Sequence, residues 1–143
     1  MTAELNIDVT QVQGKVPVTV FRIKGDIDAN TFDQLQERAE QAYADGTRYL
    51  LLDLSEVPYI SSAGIRGLHH IFTLLRSDSP AASDDAMRQG IRAGTYRSHH
   101  LKLLNPTPNV ARVLSMTGYD LVLEVHSDLQ SAIDSFHQHE SSG

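Results

Sequence analysis

Hydrophobic and polar residues alternate in two short stretches near the start of the chain. The first is LNIDV at residues 5–9 and the second is VPVTVFRI at residues 16–23, with Gly14 between them. A period of two is typical of a strand that buries one of its faces. The pattern therefore predicts two antiparallel strands joined by a turn.

Three later segments carry apolar residues at the spacing of an α-helix. The apolar positions are Phe32, Leu35, Ala39 and Ala42 in the first segment, Ile65, Leu68, Phe72 and Leu75 in the second, and Val110, Val113 and Leu114 in the third. These positions predict three amphipathic helices, and we expect the second to run from about Ser62 to Arg76.

The residues at the ends of these segments are those that helices prefer at their termini. Asn30 or Thr31 can cap the first helix, and Gly46 stands where a left-handed residue would end it. Thr107 can cap the third helix, and Pro108 follows it at the first helical position, where proline is favoured. Gly118 marks the end of this helix.

Three apolar runs predict the remaining strands. YLLLDL at residues 49–54 is apolar on both faces except at Asp53, which indicates a central strand covered on two sides. HLKLL at residues 100–104 and LVLEV at residues 121–125 predict two further strands. SDLQ at residues 127–130 matches a capping box, Ser127 being the cap, for a final helix that continues to about Phe136.

The order of these elements predicts an α/β fold. Strands that alternate with helices favour a mixed, mostly parallel sheet, here of about five strands with about four helices. A chain of 143 residues that is 41% hydrophobic suits one domain over residues 1–143.

Residues 77–98 are poor in large aliphatic side chains and predict a mobile surface insertion with one helical turn from Ser83. Residues 137–143 should form a frayed tail.

Composition and charge exclude several classes of protein. The chain has no cysteine, so it has no disulfide, no thiolate zinc site and no cysteine nucleophile. Its net charge of −6, from 18 acidic and 12 basic residues, opposes binding to nucleic acid. The N-terminal stretch resembles no signal peptide, and no run of about 18 apolar residues is present. We therefore predict a cytoplasmic protein with no membrane span.

Catalytic and metal sites find little support in the sequence. A hydrolase elbow needs glycine on both sides of its serine, but Ser62 has Gly64 after it and Ile60 before it. The seven histidines show no metal-ligand spacing. Gly64 and Gly67 follow a strand, but neither a Walker lysine nor a dinucleotide fingerprint accompanies them. We expect no enzyme activity, no metal site and no cofactor.

The paired serines between a strand and a helix remain to be explained. The simplest interpretation is that Ser61 or Ser62 is a helix N-cap. A cap alone does not explain the exposed Pro58 and Tyr59 beside them, or the acidic loop GDIDAN at residues 25–30 that leaves the neighbouring strand. Small residues at this point would let the backbone of another protein come close.

Three segments of the chain resemble the STAS domain family, and within it the anti-sigma factor antagonists. DLSEVPYISSAGIRGL at residues 53–68 is similar to the motif in which an aspartate-bearing strand runs into a serine, a small residue and glycine. IKGDIDANTFDQL at residues 23–35 is similar to the signature from the second strand to the first helix. Residues 103–133, LLNPTPNVARVLSMTGYDLVLEVHSDLQSAI, resemble the C-terminal half. The resemblance covers nearly the whole chain except residues 77–98.

The resemblance implies a switch by phosphorylation. Ser62 would be phosphorylated by an anti-sigma factor that is also a serine kinase. Ser61 is the second choice of acceptor, and many members of the family carry Asp at the position of Ser61. The unmodified protein would bind this kinase and free a sigma factor, and a serine phosphatase would restore it. The expected partner-binding residues are Asp26, Asp28, Asn30, Tyr59, Ile60, Ser61, Ala63, Gly64, Ile65 and Arg66. We expect a monomer or weak homodimer, and the alternative is a scaffold or sensor subunit without a phosphate cycle.

Overall fold

The structure is a computed structural model that describes residues 4–76 and 98–137. Five strands form one sheet in the order β1-β2-β3-β4-β5. They are β1 (Asn6–Gln13), β2 (Pro17–Lys24), β3 (Leu50–Glu56), β4 (Leu101–Leu104) and β5 (Val125–His126). Strands β1 and β2 are antiparallel, and each later pair is parallel. Within the described residues, the predicted mixed, mostly parallel sheet is confirmed.

The described part of the chain has four α-helices and one short 3-10 helix. They are α1 (Phe32–Ala44), α2 (Ser62–Arg76), α3 (Pro108–Thr117) and α4 (Leu129–Ser135), with the 3-10 helix at Tyr119–Leu121. Gly46 and Gly118 follow α1 and α3 with φ of 111° and 82°, as their positions in the sequence predict. In the described ranges, no helix combines the length and the apolar character needed to cross a bilayer.

The core lies on both faces of the sheet. Leu50, Leu52 and Leu54 of β3 belong to the larger cluster, which packs under α1, α2 and α3. Leu51 belongs to a smaller cluster with α4 and Phe136. Successive residues of a strand point to opposite faces, so β3 contributes to both clusters. The prediction that this strand is central and covered on two sides is confirmed.

A buried lysine joins β4 to the end of α4. Lys102 is 3% exposed, and its Nζ donates to both the carbonyl oxygen and the Oγ of Ser135 at 3.0 Å. The same Nζ lies 3.3 Å from Oε1 of Glu124 and 4.9 Å from the ring centre of Phe136. Burial raises the pKa of Glu124, but Lys102 and His126 together outweigh it and hold that pKa below its usual value.

The strand predicted at residues 121–125 is wrong over most of its length. Tyr119–Leu121 form the 3-10 helix after α3, and Leu121 is 57% exposed. The N–H of Leu123 donates to the carbonyl of Tyr119 at 2.8 Å, so a tight turn uses the residues that alternation assigned to a strand. Only Val125–His126 pair with β4.

Side-chain capping also differs from the predicted pattern. Helix α1 begins after Thr31 and α3 after Thr107, but neither side chain makes a capping hydrogen bond. The Thr107 hydroxyl donates instead to the carbonyl of Val57 at 2.8 Å. The cap of α4 is Asp128 rather than Ser127, and its carboxylate accepts a backbone N–H three residues later at 2.8 Å. A hydroxyl at a predicted cap position can thus form a hydrogen bond with a distant part of the chain and not with the first turn of its helix.

Most of the predicted insertion at 77–98 and of the predicted tail at 137–143 lies outside the described residues, as does the helical turn expected at Ser83. Ser98 is described, and it is 5% exposed. Its N–H donates to the carbonyl of Val122 at 2.9 Å, and its hydroxyl accepts two backbone N–H groups at 3.1 and 3.2 Å. Ser98, the last residue of the predicted insertion, is therefore held by hydrogen bonds to the described part of the fold.

Candidate functional site

Two loops meet beyond the carboxyl ends of β2 and β3, the edge where ligand sites of parallel sheets commonly lie. One loop joins β2 to α1 and the other joins β3 to α2. Ile27 and Ile60 form an isolated parallel bridge between them. The N–H of Ile27 donates to the carbonyl of Tyr59 at 3.0 Å, and the N–H of Ser61 donates to the carbonyl of Ile27 at 2.9 Å. The two loops are therefore held together directly before α2.

Ser61 and Ser62 have different environments at the start of α2. The Oγ of Ser61 accepts the N–H of Gly64 at 3.3 Å, and its carbonyl accepts the N–H of Ile65 at 2.9 Å. Ser61 is half-buried, whereas Ser62, the first residue of α2, is exposed. No described residue forms a hydrogen bond with the Ser62 hydroxyl. The cap interpretation thus fits Ser61, and Ser62 presents its hydroxyl to solvent.

Gly64 lies where α2 passes closest to the loop after β2. A Cβ at this position would lie 2.4 Å from the carbonyl oxygen of Ile27 and 2.6 Å from Cγ1 of Ile60. Real Cβ atoms do not approach other atoms so closely, so only glycine fits here without a displacement of the backbone. The contact needs two distant segments to be adjacent, and the sequence gives no signal for it.

Four residues expected to contact a partner are buried in the domain itself. They are Ile60, Ala63, Gly64 and Ile65. Their burial corrects the view that the small residues leave room for another protein, because the loop that carries Ile27 already occupies the space beside Gly64. These residues hold the start of α2 in place and do not offer a surface.

Thr31 orders the loop between β2 and α1. Its side chain is buried, and its Oγ1 donates to the carbonyl of Asp26 at 2.7 Å and accepts the N–H of Asp28 at 3.0 Å. The N–H of Asn30 donates to Oδ1 of Asp28 at 2.9 Å. Thr31, rather than Asn30, holds the N-cap position of α1, and its hydroxyl closes the loop.

Replacing Thr31 with valine should loosen this loop. Valine keeps the shape of the side chain but removes the hydroxyl, which leaves two backbone groups without a partner at a cost of about 1 to 3 kcal/mol. We expect faster hydrogen exchange at the amide of Asp28 and a lower urea midpoint. The Thr31→Ser variant keeps the hydroxyl and should retain the protection of that amide. Equal protection of Asp28 in both variants would contradict the assigned role.

The exposed and half-exposed residues around these loops form what we name the Ser62 surface. It consists of Asp26, Asp28, Asn30, Tyr59, Ser62 and Arg66. Tyr59 is 49% exposed and is the aromatic side chain of this surface. The surface carries two carboxylates and one guanidinium, and all six residues are among those predicted from the sequence.

The described residues do not surround Ser62 with the groups of a catalytic or metal site. The Nδ1 of His69 forms a hydrogen bond of 2.9 Å with the hydroxyl of Tyr119, and the Nε2 of His70 lies 2.6 Å from Oε2 of Glu40. Both histidines therefore tie α2 to neighbouring helices. Within the described ranges, no three His, Cys, Asp or Glu side chains are grouped as metal ligands.

An open groove of about 380 Å³ lies on the sheet face that α4 partly covers. Its lining consists of Asp8, Thr10, Val12, Val20, Arg22, Asp53 and Leu129. Asp53 is buried, lies 3.7 Å from Nε of Arg22, and accepts the N–H of Ser55 at 3.1 Å. The buried carboxylate of the groove is thus paired within the chain, on the other side of the sheet from the larger cluster.

Comparisons with known proteins agree with this architecture. The STAS domain family model matches residues 7–79. An anti-sigma factor antagonist from Mycobacterium paratuberculosis is 20% identical with a TM-score of 0.68, over 92% of this chain and 93% of that chain. Phosphorylated SpoIIAA of Bacillus is 16% identical with a TM-score of 0.59, over 90% and 97%. Unphosphorylated SpoIIAA is 12% identical with a TM-score of 0.56, over 88% and 92%. No curated protein sequence matches significantly.

The matched segment of the family model contains β1 except its first residue, the elements from β2 to α2, and both loops of the candidate site. It covers 73 of the 143 residues, from 7 to 79. The chain belongs to the STAS domain family, as the three quoted segments predict. At the identities found, the solved structures show a shared fold over nearly the whole chain.

Proposed function

We propose that this STAS domain is an anti-sigma factor antagonist that acts by partner switching. It binds an anti-sigma factor serine kinase while Ser62 is unmodified, and so releases a sigma factor. The kinase phosphorylates Ser62 and ends the interaction, and a serine phosphatase restores it. The observation that carries the proposal is the exposed hydroxyl of Ser62 at the start of α2, next to a half-buried Ser61 whose hydroxyl caps the same helix.

The fold supports this role by analogy. The antagonist from Mycobacterium paratuberculosis and both forms of SpoIIAA share the architecture over about nine-tenths of this chain. One of these proteins is itself described in a phosphorylated form. The role is that of a regulator that is a substrate of a kinase and has no enzymatic activity of its own.

A phosphate on Ser62 is compatible with the domain. It adds about −1.5 to −2 charges at the first residue of α2, where free N–H groups and the positive end of the helix dipole favour an anion. No acidic residue occupies the first turn of α2, so no carboxylate of that turn repels it. Phosphorylation should therefore leave the fold intact.

The same phosphate would oppose docking. Asp26 and Asp28 already place negative charge on the Ser62 surface, and a partner fitted to a neutral hydroxyl would have to bury an unpaired dianion. Such burial costs several kcal/mol, which corresponds to a loss of affinity of about 100-fold or more. One modification can thus change the partner without unfolding the domain.

Phosphate mapping tests the acceptor. The protein would be incubated with each serine kinase of its genome that has a histidine-kinase-like ATP site, and phosphate would be located by mass spectrometry. We expect labelling of the wild type and of Ser61→Ala, and none of Ser62→Ala. Ser61→Ala loses a cap worth about 0.5 to 2 kcal/mol, so its fold is checked by circular dichroism. Labelling lost only in Ser61→Ala would overturn the assignment of Ser62.

Calorimetry with the labelling kinase tests the switch. We expect the unmodified protein and Ser62→Ala to bind, and the phosphorylated protein to bind about 100-fold more weakly or not at all. Binding of equal strength in both states would instead identify a scaffold that has no phosphate cycle.

A further inference from the structure

Arg66 lies one helical turn after Ser62 on α2, and both side chains are exposed. Residues at positions i and i+4 of a helix are neighbours, with their Cβ atoms about 5–6 Å apart. Helical side chains also lean toward the N-terminus of the helix. An extended Arg66 side chain can therefore reach the turn that carries Ser62.

The guanidinium of Arg66 has no hydrogen bond or ion pair with any other described residue. Other arginines of the chain are engaged: Arg22 lies 3.7 Å from Asp53, Arg38 donates to the carbonyl of Ile7, and Arg48 donates to the carbonyl of Tyr43. The cation at the start of α2 is thus available for an anion, and the first turn of the helix supplies none of its own.

We propose that Arg66 binds the phosphate of phosphorylated Ser62 within the same helix. An anion that precedes a cation by four residues is the favourable order on a helix. The planar guanidinium fork can donate two parallel hydrogen bonds to phosphate oxygens, which a lysine cannot do. The inference rests on the proposed modification of Ser62 and adds a residue that receives the phosphate.

The pairing gives phosphorylation a second effect on the Ser62 surface. In the unmodified protein, Arg66 is exposed and is the one cation among the six residues of the Ser62 surface. In the phosphorylated protein, the same guanidinium is occupied by an internal anion. The modification therefore adds negative charge and also removes a positive group that an acidic side chain of a partner can use.

A ³¹P NMR titration tests the pairing without any kinase. Phosphoserine is installed at position 62 during translation in the full chain, and the phosphate signal is followed from pH 8 to pH 4.5. An isolated phosphoserine titrates near pH 6. A neighbouring guanidinium favours the dianion, so we expect the midpoint of the Arg66→Gln variant to lie about 0.3 to 1 pH unit higher than that of the parent.

Two variants control the titration. Arg112→Gln removes an exposed arginine from α3 and should leave the midpoint of the parent unchanged. Arg66→Lys keeps the charge but loses the paired hydrogen bonds, so its midpoint should fall between those of the parent and Arg66→Gln. Asp26 and Asp28 on the adjacent loop, and His69 and His70 further along α2, are the same in every variant, so they do not affect the comparison.

Equal midpoints for the parent and Arg66→Gln would overturn the pairing. Because the phosphate is installed without a kinase, that result would leave the proposed switch untouched. Failure of every kinase to label Ser62 would, in contrast, reject the switch, although the titration would still report on the pairing.

Discussion

Replacing Gly64 with alanine is expected to destabilise the domain and to displace the first turn of α2. The new Cβ would lie 2.4 Å from the carbonyl oxygen of Ile27. That oxygen already accepts the N–H of Ser61, so it cannot move away without breaking the link between the two loops. Overpacking of this kind costs about 1 to 3 kcal/mol, occasionally more. Alanine regains at most about 1 kcal/mol over glycine in a helix.

Gly67 provides a matched control on the same helix. A Cβ at position 67 would lie 3.5 Å from Cβ of Phe32, which is an ordinary contact. Gly67→Ala should therefore be neutral or stabilise the domain by up to about 1 kcal/mol through helix propensity. Urea denaturation measures both variants. If Gly64→Ala and Gly67→Ala were equally stable, the close approach of α2 to Ile27 would be disproved.

Replacing Lys102 with alanine should have the second large effect on stability. The change removes a buried ammonium and its hydrocarbon stem, leaves the two oxygens of Ser135 without this donor, and leaves the carboxylate of Glu124 with His126 but without the lysine. The lost packing and the lost hydrogen bonds together should lower the free energy of unfolding by about 2 to 4 kcal/mol. Lys102→Met keeps most of the apolar volume, so its loss should be smaller, about 1 to 3 kcal/mol.

The ion pair between Lys102 and Glu124 should make the stability of the domain depend on pH. Burial raises the pKa of Glu124, but Lys102 and His126 lower it more, so the folded chain holds that pKa below the ordinary value of 4.5. A carboxyl whose pKa is depressed by folding stabilises the protein above its unfolded pKa, and the contribution is lost as the pH falls through the folded value. In Lys102→Met only His126 still opposes the effect of burial on this pKa, so the loss of stability on acidification should become smaller.

Urea midpoints at pH 7, 5 and 3.5 give the measurement for both Lys102 variants. The difference in stability between wild type and Lys102→Met should be largest at pH 7 and should shrink toward pH 3.5. Parallel pH profiles for the two proteins would show that Glu124 draws no stability from the lysine.

Features that depend on local periodicity could be predicted from the sequence. The apolar run of β3 and the start of α2 at Ser62 agree with the structure because each follows from hydrophobic spacing and one terminal signal. The adjacency of the two loops that carry the Ser62 surface could be predicted because loops after adjacent parallel strands emerge at one edge of a sheet.

Features that depend on distant partners could not be predicted. The hydroxyls of Thr31 and Thr107 look like helix caps, but they bond to the carbonyls of Asp26 and Val57 because the folded loops bring those groups close. The run LVLEV alternates like a strand, although a tight turn after Gly118 takes up its first residues. The burial of Ala63, Gly64 and Ile65 against the domain depends on the same kind of tertiary approach.

The sheet separates two cores of unequal size. The segments around Ser62 pack on the larger core, whereas α4 and Phe136 pack on the smaller one. Local opening of a protein proceeds in contiguous cooperative units. Because α4 covers only the smaller core, fraying of this helix would expose Phe136 and its neighbours while the packing beneath the start of α2 stays in place.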